Sequence, residues 1–440
     1  MTRNALFRAG SDLFRRFHNA AKEILAKPQP AESVTHRCDL LSKLTEAEGE
    51  TTRTYGSDAM RQANTLVGAW MRAAGMTTRM DAIGNLIGHY AGAKPNARIL
   101  LLGSHLDTVR NAGKFDGPLG VLIAIGCVEE LNRQKIRLPF AIEVIGFADE
   151  EGVRYQTACL GSKVLAGCLD KSDLRRKDAD GIALADAIRR YGGNPAQLKS
   201  AGLNPKTLLG YVEAHIEQGP VLEENQLALG TVTAIAGQTR ARVTFVGRAG
   251  HAGTTPMSSR ADALCAAAEF VLAVEKLAGR TRGLAATVGE ISAQPGASNV
   301  IPGEVRLSLD LRHARDSVRR SARRALEKIA RQIARRRKIR LETEVVYETA
   351  SVKCSTELSN LLDNAVKRRQ KKTIRLPSGA GHDAAVMAGI TPTAMLFIRC
   401  KNGVSHHPDE SVKTADVQMA LVVMNDFLQS LAKKYRQNKR

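Results

Sequence analysis

Two largely apolar stretches, residues 99–102 and 141–148 with Glu143 inside the second, end abruptly in residues that carry chemistry. The first runs into Gly103-Ser104-His105-Leu106-Asp107, the second into Asp149-Glu150-Glu151. Short, continuous apolar runs of this length read as strands buried on both faces, as in parallel sheets covered by helices. An open α/β sheet places its ligands beyond the carboxyl ends of its strands. The same feature therefore predicts an architecture and the location of a site.

The surrounding sequence fits that frame. Residues 35–75 read as helix, with 59–74 at helical spacing and a stop at Gly75. Residues 85–89 read as a strand and 119–131 as a helix. Strands alternating with helices predict an α/β fold with a mostly parallel central sheet flanked by helices. Near Gln218-Gly219-Pro220 the texture changes. Residues 230–246 and 285–312 carry alternating β-branched positions, and 261–277 and 317–335 read as helices. These make a smaller, two-layer α+β unit. From about residue 349 the chain returns to helix, a Gly-rich loop at 378–381, a strand at 393–398 and a last helix at 412–431. The expected division is a basic helical extension over 1–34, a catalytic domain built from 35–233 and 348–440, and an inserted lid or dimerisation domain over 234–347.

Composition narrows the function classes. The chain has 440 residues, 43% of them hydrophobic, enough for two cores. Its apolar runs fall far short of the ~20 residues a membrane span needs, so a soluble protein is expected. The seven cysteines are scattered, odd in number and form no CxxC pair. That argues for free thiols in a reducing cytoplasm rather than a disulfide framework. Residues 1–27 contain Asp12 and Glu23 and no continuous apolar segment, unlike a secretory signal. The net charge of +21 is local: residues 319–340 hold +10, 367–372 hold +5 and 433–440 hold +5. A nucleic-acid or polyanion surface is one reading of these stretches. However, Val318, Ala322, Ala325, Ile329 and Ile333 recur at helical spacing within the first, and no aromatic residues interleave to stack bases. Solvated outer faces of helices are the preferred reading, without a nucleic-acid or membrane partner.

Three further segments bring imidazoles or carboxylates to tight turns and strand ends: Gly113-Lys114-Phe115-Asp116-Gly117, Glu213-Ala214-His215-Ile216-Glu217-Gln218-Gly219, and Gly403-Val404-Ser405-His406-His407-Pro408-Asp409-Glu410. Imidazole with carboxylate is the donor mix of zinc and similar first-row ions. Two ions sharing five protein ligands need one carboxylate as a bridge. Positions then remain for a water whose pKa the cations lower. A neighbouring carboxylate must accept its proton, and in an adjacent Glu pair one member can ligate while the other faces the water. Asp107, two residues from His105, suits a carboxylate that orients the imidazole.

In combination, these motifs closely resemble those of the dinuclear-zinc amidohydrolases and peptidases related to aminoacylase and carboxypeptidase. Within that group they look like the branch of allantoate amidohydrolases and N-carbamoyl-L-amino-acid hydrolases. The likeness runs over residues 38–431, nearly the whole chain. It implies that His105 and His406 bind opposite ions, that Asp116 bridges them, and that Glu151 and His215 complete the sites. It makes Glu150 the general base and Asp107 the orienter. The family's Ser-His-x-Pro-x-Glu pattern selects His406 over His407. His251 would polarise the scissile carbonyl across a homodimer formed through the inserted domain. Asn299 and Arg312 would hold the substrate carboxylate, Gln218 the ureido group, and His382 would contact substrate from its Gly-rich loop. The implied cofactors are two divalent ions, zinc first, with manganese or cobalt as alternatives. The implied reaction cleaves the ureido C–N bond of a carboxylate-bearing ureido compound. Allantoate ranks first, N-carbamoyl-L-amino acids second and β-ureidopropionate third. The basic helix over 319–340 and the long basic N-terminus are not features of the family, and they leave an accessory interaction open.

Overall fold

The computed structural model describes residues 30–437. The expected basic extension, up to residue 29, and the last three residues of the C-terminal basic stretch lie outside the described residues. The chain divides into two compact units. The first runs to Val232 and also includes Cys354–Arg375 and the residues from His382 onward. The second comprises Thr233–Lys353 and Leu376–Gly381.

In the first unit, four parallel strands occupy the centre of the sheet, in the order Ala141–Phe147, Ile99–His105, Leu208–Ile216 and Thr393–Ile398. Antiparallel strands extend it on either side: Leu86–Tyr90 and then Thr77–Met80 beside Ala141–Phe147, and Leu229–Ile235 beside Thr393–Ile398. The central strands are buried along nearly their whole length, as expected when both faces carry helices. Helix Pro118–Arg133 packs directly on three of them and is apolar around most of its circumference. A helix with that pattern has to be covered. Helices Pro30–Ser42 and Thr414–Gln437 cover it, placing Val34, Cys38, Leu421, Met424 and Leu428 in the same core. Each fully buried Leu or Ile, such as Leu100 or Ile123, stabilises the fold by about 1.5–3 kcal/mol.

The continuous helix expected over 35–75 is two helices, Pro30–Ser42 and Asp58–Ala73. The segment between them is organised by a buried arginine. The Arg53 guanidinium donates to the carbonyls of Leu41 (2.8 Å), Leu44 (3.1 Å) and Leu106 (2.7 Å). Two acceptors at the end of the first helix and one 53 residues away fix a loop that helical periodicity does not announce. Ser57 then caps the second helix by accepting the Met60 N–H at 3.1 Å.

The second unit is a two-layer α+β structure. Its antiparallel sheet runs Ile291–Gln294, Glu304–His313, Gly237–Val246, Arg340–Thr349, and Ala285–Thr287 pairs with Glu304–His313. Strict alternation puts Ala241, Val243 and Phe245 with Val305, Leu307, Leu309 and Leu311 in the core. Helices Ala263–Arg280 and Asp316–Arg337 cover that face with Ala266, Phe270, Val274, Leu326, Ala330 and Ile333. Strand Arg340–Thr349 was not expected from the sequence: it lies at the sheet edge, is exposed apart from Leu341, and so shows no apolar alternation.

The basic helix is amphipathic as expected; of the expected positions Ala322 and Ile333 are buried and Val318, Ala325 and Ile329 partly so, and the buried stripe is completed by Leu326, Ala330 and Ala334. Arg319 sits on the buried face, donating to the Gln238 carbonyl (3.0 Å) and paired with Glu348 (2.9 Å) and Asp316 (3.1 Å). Arg323 pairs with Glu327, and both Arg336 and Arg337 pair with Glu269. Part of the basic surplus is thus answered within the chain. No helix among the described residues is long and apolar enough to cross a membrane.

Candidate metal centre

The carboxyl ends of the central strands converge. His105 ends one strand opposite Phe147 of the next, after which the chain carries Asp149, Glu150 and Glu151. His215 lies opposite Phe397 near the end of a third. The turn bearing Asp116 closes over these ends. Gly117 there has φ 83°, and a Cβ on it would sit 2.4 Å from the His105 ring. Only glycine meets both demands. The loop after strand Thr393–Ile398 brings in His406, whose own φ is 56°.

Asp116 is the hub. Its Oδ1 lies 3.1 Å from His215 Nε2 and 3.6 Å from His105 Nε2, and its Oδ2 lies 3.3 Å from His406 Nε2. His406 Nε2 is also 3.2 Å from a Glu151 oxygen. Donor atoms of His105, Asp116 and His215 fall within 4.8 Å of one another, as do those of Asp116, Glu151 and His406, and those of His105, Glu150 and Glu151. Asp116 belongs to the first two sets and is the residue they share.

The imidazoles are aimed. His105 Nδ1 is 3.0 Å from the Asp107 carbonyl and His215 Nδ1 is 2.9 Å from the Ile216 carbonyl. With Nδ1 donating to those carbonyls, Nε2 carries the free lone pair of a ligand. His215 Nε2 is fully buried and makes no hydrogen bond. Asp107 lies 3.5 Å from His105 and accepts the N–H groups of Glu150 (3.0 Å) and Glu151 (3.1 Å). One buried carboxylate therefore fixes both the imidazole and the Glu pair.

Electrostatics point the same way. Burial alone would raise the Asp116 carboxyl, but the imidazoles of His105, His215 and His406 gathered around it hold it well below the ordinary range. Burial would lower His105; the carboxylates of Asp107 and Asp116 outweigh it and hold His105 well above the ordinary imidazole value. Protons here stand in for positive charge that the site's negative potential demands. A divalent cation satisfies the same demand while leaving the imidazoles neutral, as ligands must be. The donor set and the orphaned His215 nitrogen fit such ions. Glu150 is different: burial first, then the charge of Glu151, push its carboxyl well above the usual value. The Cys159 thiol donates to it at 3.6 Å.

Gln218 and His382 also belong to this cluster. Gln218 Nε2 donates to Asp116 Oδ2 at 2.8 Å, and its Oε1 is buried without a hydrogen bond. The His382 ring stands edge-on to His215, centroids 4.6 Å apart. Burial and then the charge of His215 hold its pKa well below the usual value. Sequence reasoning missed Glu213, which is fully buried, accepts Ser104 Oγ (2.8 Å) and the Ala384 N–H (3.1 Å), and groups with His215 and His382. Its position two residues before His215, on the same strand face, was the available signal.

Three expected residues lie on the second unit. His251 and Asn299 are joined by a two-stranded ladder in which His251 pairs with Val300, and the Asn299 carbonyl accepts the Ala252 N–H at 2.9 Å. His251 is exposed, and its Nδ1 accepts the N–H groups of Gly253 and Thr254, both at 3.1 Å. A neutral ring accepting at Nδ1 carries its hydrogen on Nε2 and is a donor there. Arg312 forks onto Asp310, Nε to Oδ1 at 3.0 Å and Nη2 to Oδ2 at 3.1 Å, and donates to the Gly379 carbonyl at 3.0 Å.

A family model described as peptidase family M20/M25/M40 matches residues 101–430. The chain is 42% identical over 387 residues to an N-carbamoyl-L-amino acid amidohydrolase of Geobacillus stearothermophilus, covering 88% of this chain and 95% of that one. It is 40% identical over 425 residues to allantoate deiminase 1 of Glycine max, covering 89% and 88%. Among solved structures, a hydantoinase/carbamoylase-family amidase of Burkholderia multivorans superposes with a TM-score of 0.86 at 31% identity, covering 91% of this chain and 98% of that one.

Proposed function

The chain belongs to the peptidase M20/M25/M40 family, and on that premise we propose that it hydrolyses the ureido C–N bond of a carboxylate-bearing ureido compound. Allantoate is the first candidate substrate, N-carbamoyl-L-amino acids the second and β-ureidopropionate the third. The observation that carries this reading is Asp116, a buried carboxylate shared by two ligand sets, with Glu150 beside them.

His105, Asp116 and His215 would hold one divalent ion, and Asp116, Glu151 and His406 a second, zinc first with manganese or cobalt as alternatives. When bound, such ions polarise the carbonyl and lower the pKa of water. Glu150 takes the proton of the attacking water and passes it to the leaving nitrogen. Its raised pKa favours holding the proton between the two transfers. Asp107 holds His105 and the Glu pair in register. His251, with its hydrogen on Nε2, donates to the developing oxyanion. Arg312 and Asn299 hold the substrate carboxylate and orient the ureido group. The unsatisfied Gln218 Oε1 is an acceptor for a ureido N–H, and His382, packed edge-on against His215, is the further substrate contact. One water is consumed in hydrolysing the first C–N bond, which leaves a carbamic acid; this falls apart without further water, so that ammonia, carbon dioxide and an amine are released.

His251 acts here from the partner chain of a homodimer formed through the second unit. Exposed Leu264 and Leu272 on one helix and the open edge strand Arg340–Thr349 support that surface. The seven thiols are free, which suits a cytoplasmic enzyme. The test is ammonia release by purified protein supplied with manganese, cobalt or zinc, comparing the three substrates. Absence of release from every ureido acid would remove the proposal.

A further inference from the structure

Glu410 takes no part in the reaction as described, yet it lies at the join of the site's two loops. We infer that Glu410 is a positioning residue: it ties the turn carrying Asp116 to the loop carrying His406, and so sets the spacing of the two ligand sets. The inference rests on the metal-site reading above.

The geometry is specific. Glu410 is 3% exposed. Its Oε1 accepts two successive backbone N–H groups of the turn, from Phe115 at 2.7 Å and Asp116 at 3.0 Å. Its Oε2 lies 3.2 Å from Ser405 Oγ, and that hydroxyl donates to Asp116 Oδ2 at 2.5 Å. Residues 294 positions apart are thereby joined through a single carboxylate. The loop bearing Glu410 is closed at its base by the pairing of Cys400 with Val412 and by the Lys401 N–H on the Ser411 carbonyl (2.8 Å). Glu410 therefore reaches the turn from a fixed platform. The turn is shaped to admit it: a Cβ on Gly113 would come within 2.3 Å of the Glu410 Cβ and 2.5 Å of its carboxyl carbon. Residues that orient ligands without touching the ion have measurable effects on metal affinity.

Both backbone bonds go to one oxygen, so a glutamine can keep them through its amide carbonyl. That separates position from charge. Zinc or manganese binding is measured by chelator competition for the wild type, Glu410→Ala and Glu410→Gln, together with kcat and KM on the best ureido substrate. Glu410→Ala is expected to bind at least one of the two ions about tenfold or more weakly and to lose kcat with KM little changed, and Glu410→Gln to restore both to within about threefold. Wild-type metal affinity in Glu410→Ala overturns the inference, and so does a Glu410→Gln protein as impaired as the alanine variant. If Glu410→Ala does not fold, Gly113→Ala displaces the same carboxylate in a chain that retains it. The same loss is expected there, and unchanged affinity overturns the inference. A wild type that binds no metal removes the metal-site reading itself, which is a different result.

Discussion

The two units treat their functional side chains in opposite ways. In the first, His105, Asp107, Asp116 and His215 are all under 5% exposed, and each is held by backbone or by one another. In the second, His251 and Asn299 are exposed and Arg312 is partly so, each steadied by short-range contacts within the unit. The difference separates the two tasks. Groups that hold cations must converge before the cations arrive, because unpaired charge in a dry site costs several kcal/mol. Groups that recognise a soluble substrate must instead be reachable.

Substitutions should therefore fail differently in the two units. Glu150→Gln is expected to lower kcat by about 10²–10⁴-fold with two ions still bound, because only proton transfer is removed; parallel metal analysis and kinetics check this. His251→Ala should cost on the order of 10²–10³ in kcat, also without metal loss. Mixing His251→Ala with Glu150→Gln sharpens that point: hybrid dimers regain activity if His251 serves the partner's site, and a mixture no better than its parts contradicts it. Asp107→Asn should weaken metal affinity by about 10–100-fold, read by chelator competition. Arg312→Lys should raise KM about tenfold for want of the planar fork and leave metal content alone.

The smallest effect concerns acid stability of the second unit. Burial alone would raise the Asp310 carboxyl, but Arg312 and Gln238 outweigh it and hold it below the ordinary 3.8. A depressed acid contributes stability that is fully present above its unfolded value and is lost as pH falls through the folded one. Asp310→Asn should therefore flatten the loss of stability below about pH 4, measured by denaturant titration across that range.

Four of the proposed ligands, His105, Asp116, Glu151 and His215, were legible in the sequence because each follows an apolar strand or sits beside a turn glycine, and His406 because its motif resembles that of a known family. Other features depend on partners the local sequence does not contain. The loop over 43–57 is set by Arg53, which ties the nearby Leu41 and Leu44 carbonyls to that of Leu106, 53 residues away. Strand Arg340–Thr349 has no buried face to impose alternation. Gln218 was expected to meet substrate alone, but it also braces Asp116, a contact between residues 102 positions apart. Glu410 was visible only as the last letter of a motif; its role appears once the turn over residues 113–117 is folded against it.

The most direct test measures ammonia release from allantoate and from N-carbamoyl-L-amino acids by one preparation, first loaded with divalent ions, then stripped by chelation, then reloaded. The account predicts release by the loaded protein, loss on stripping and recovery on reloading with two ions per chain. Release that survives complete removal of the ions, or none from any ureido acid by the loaded protein, would contradict it.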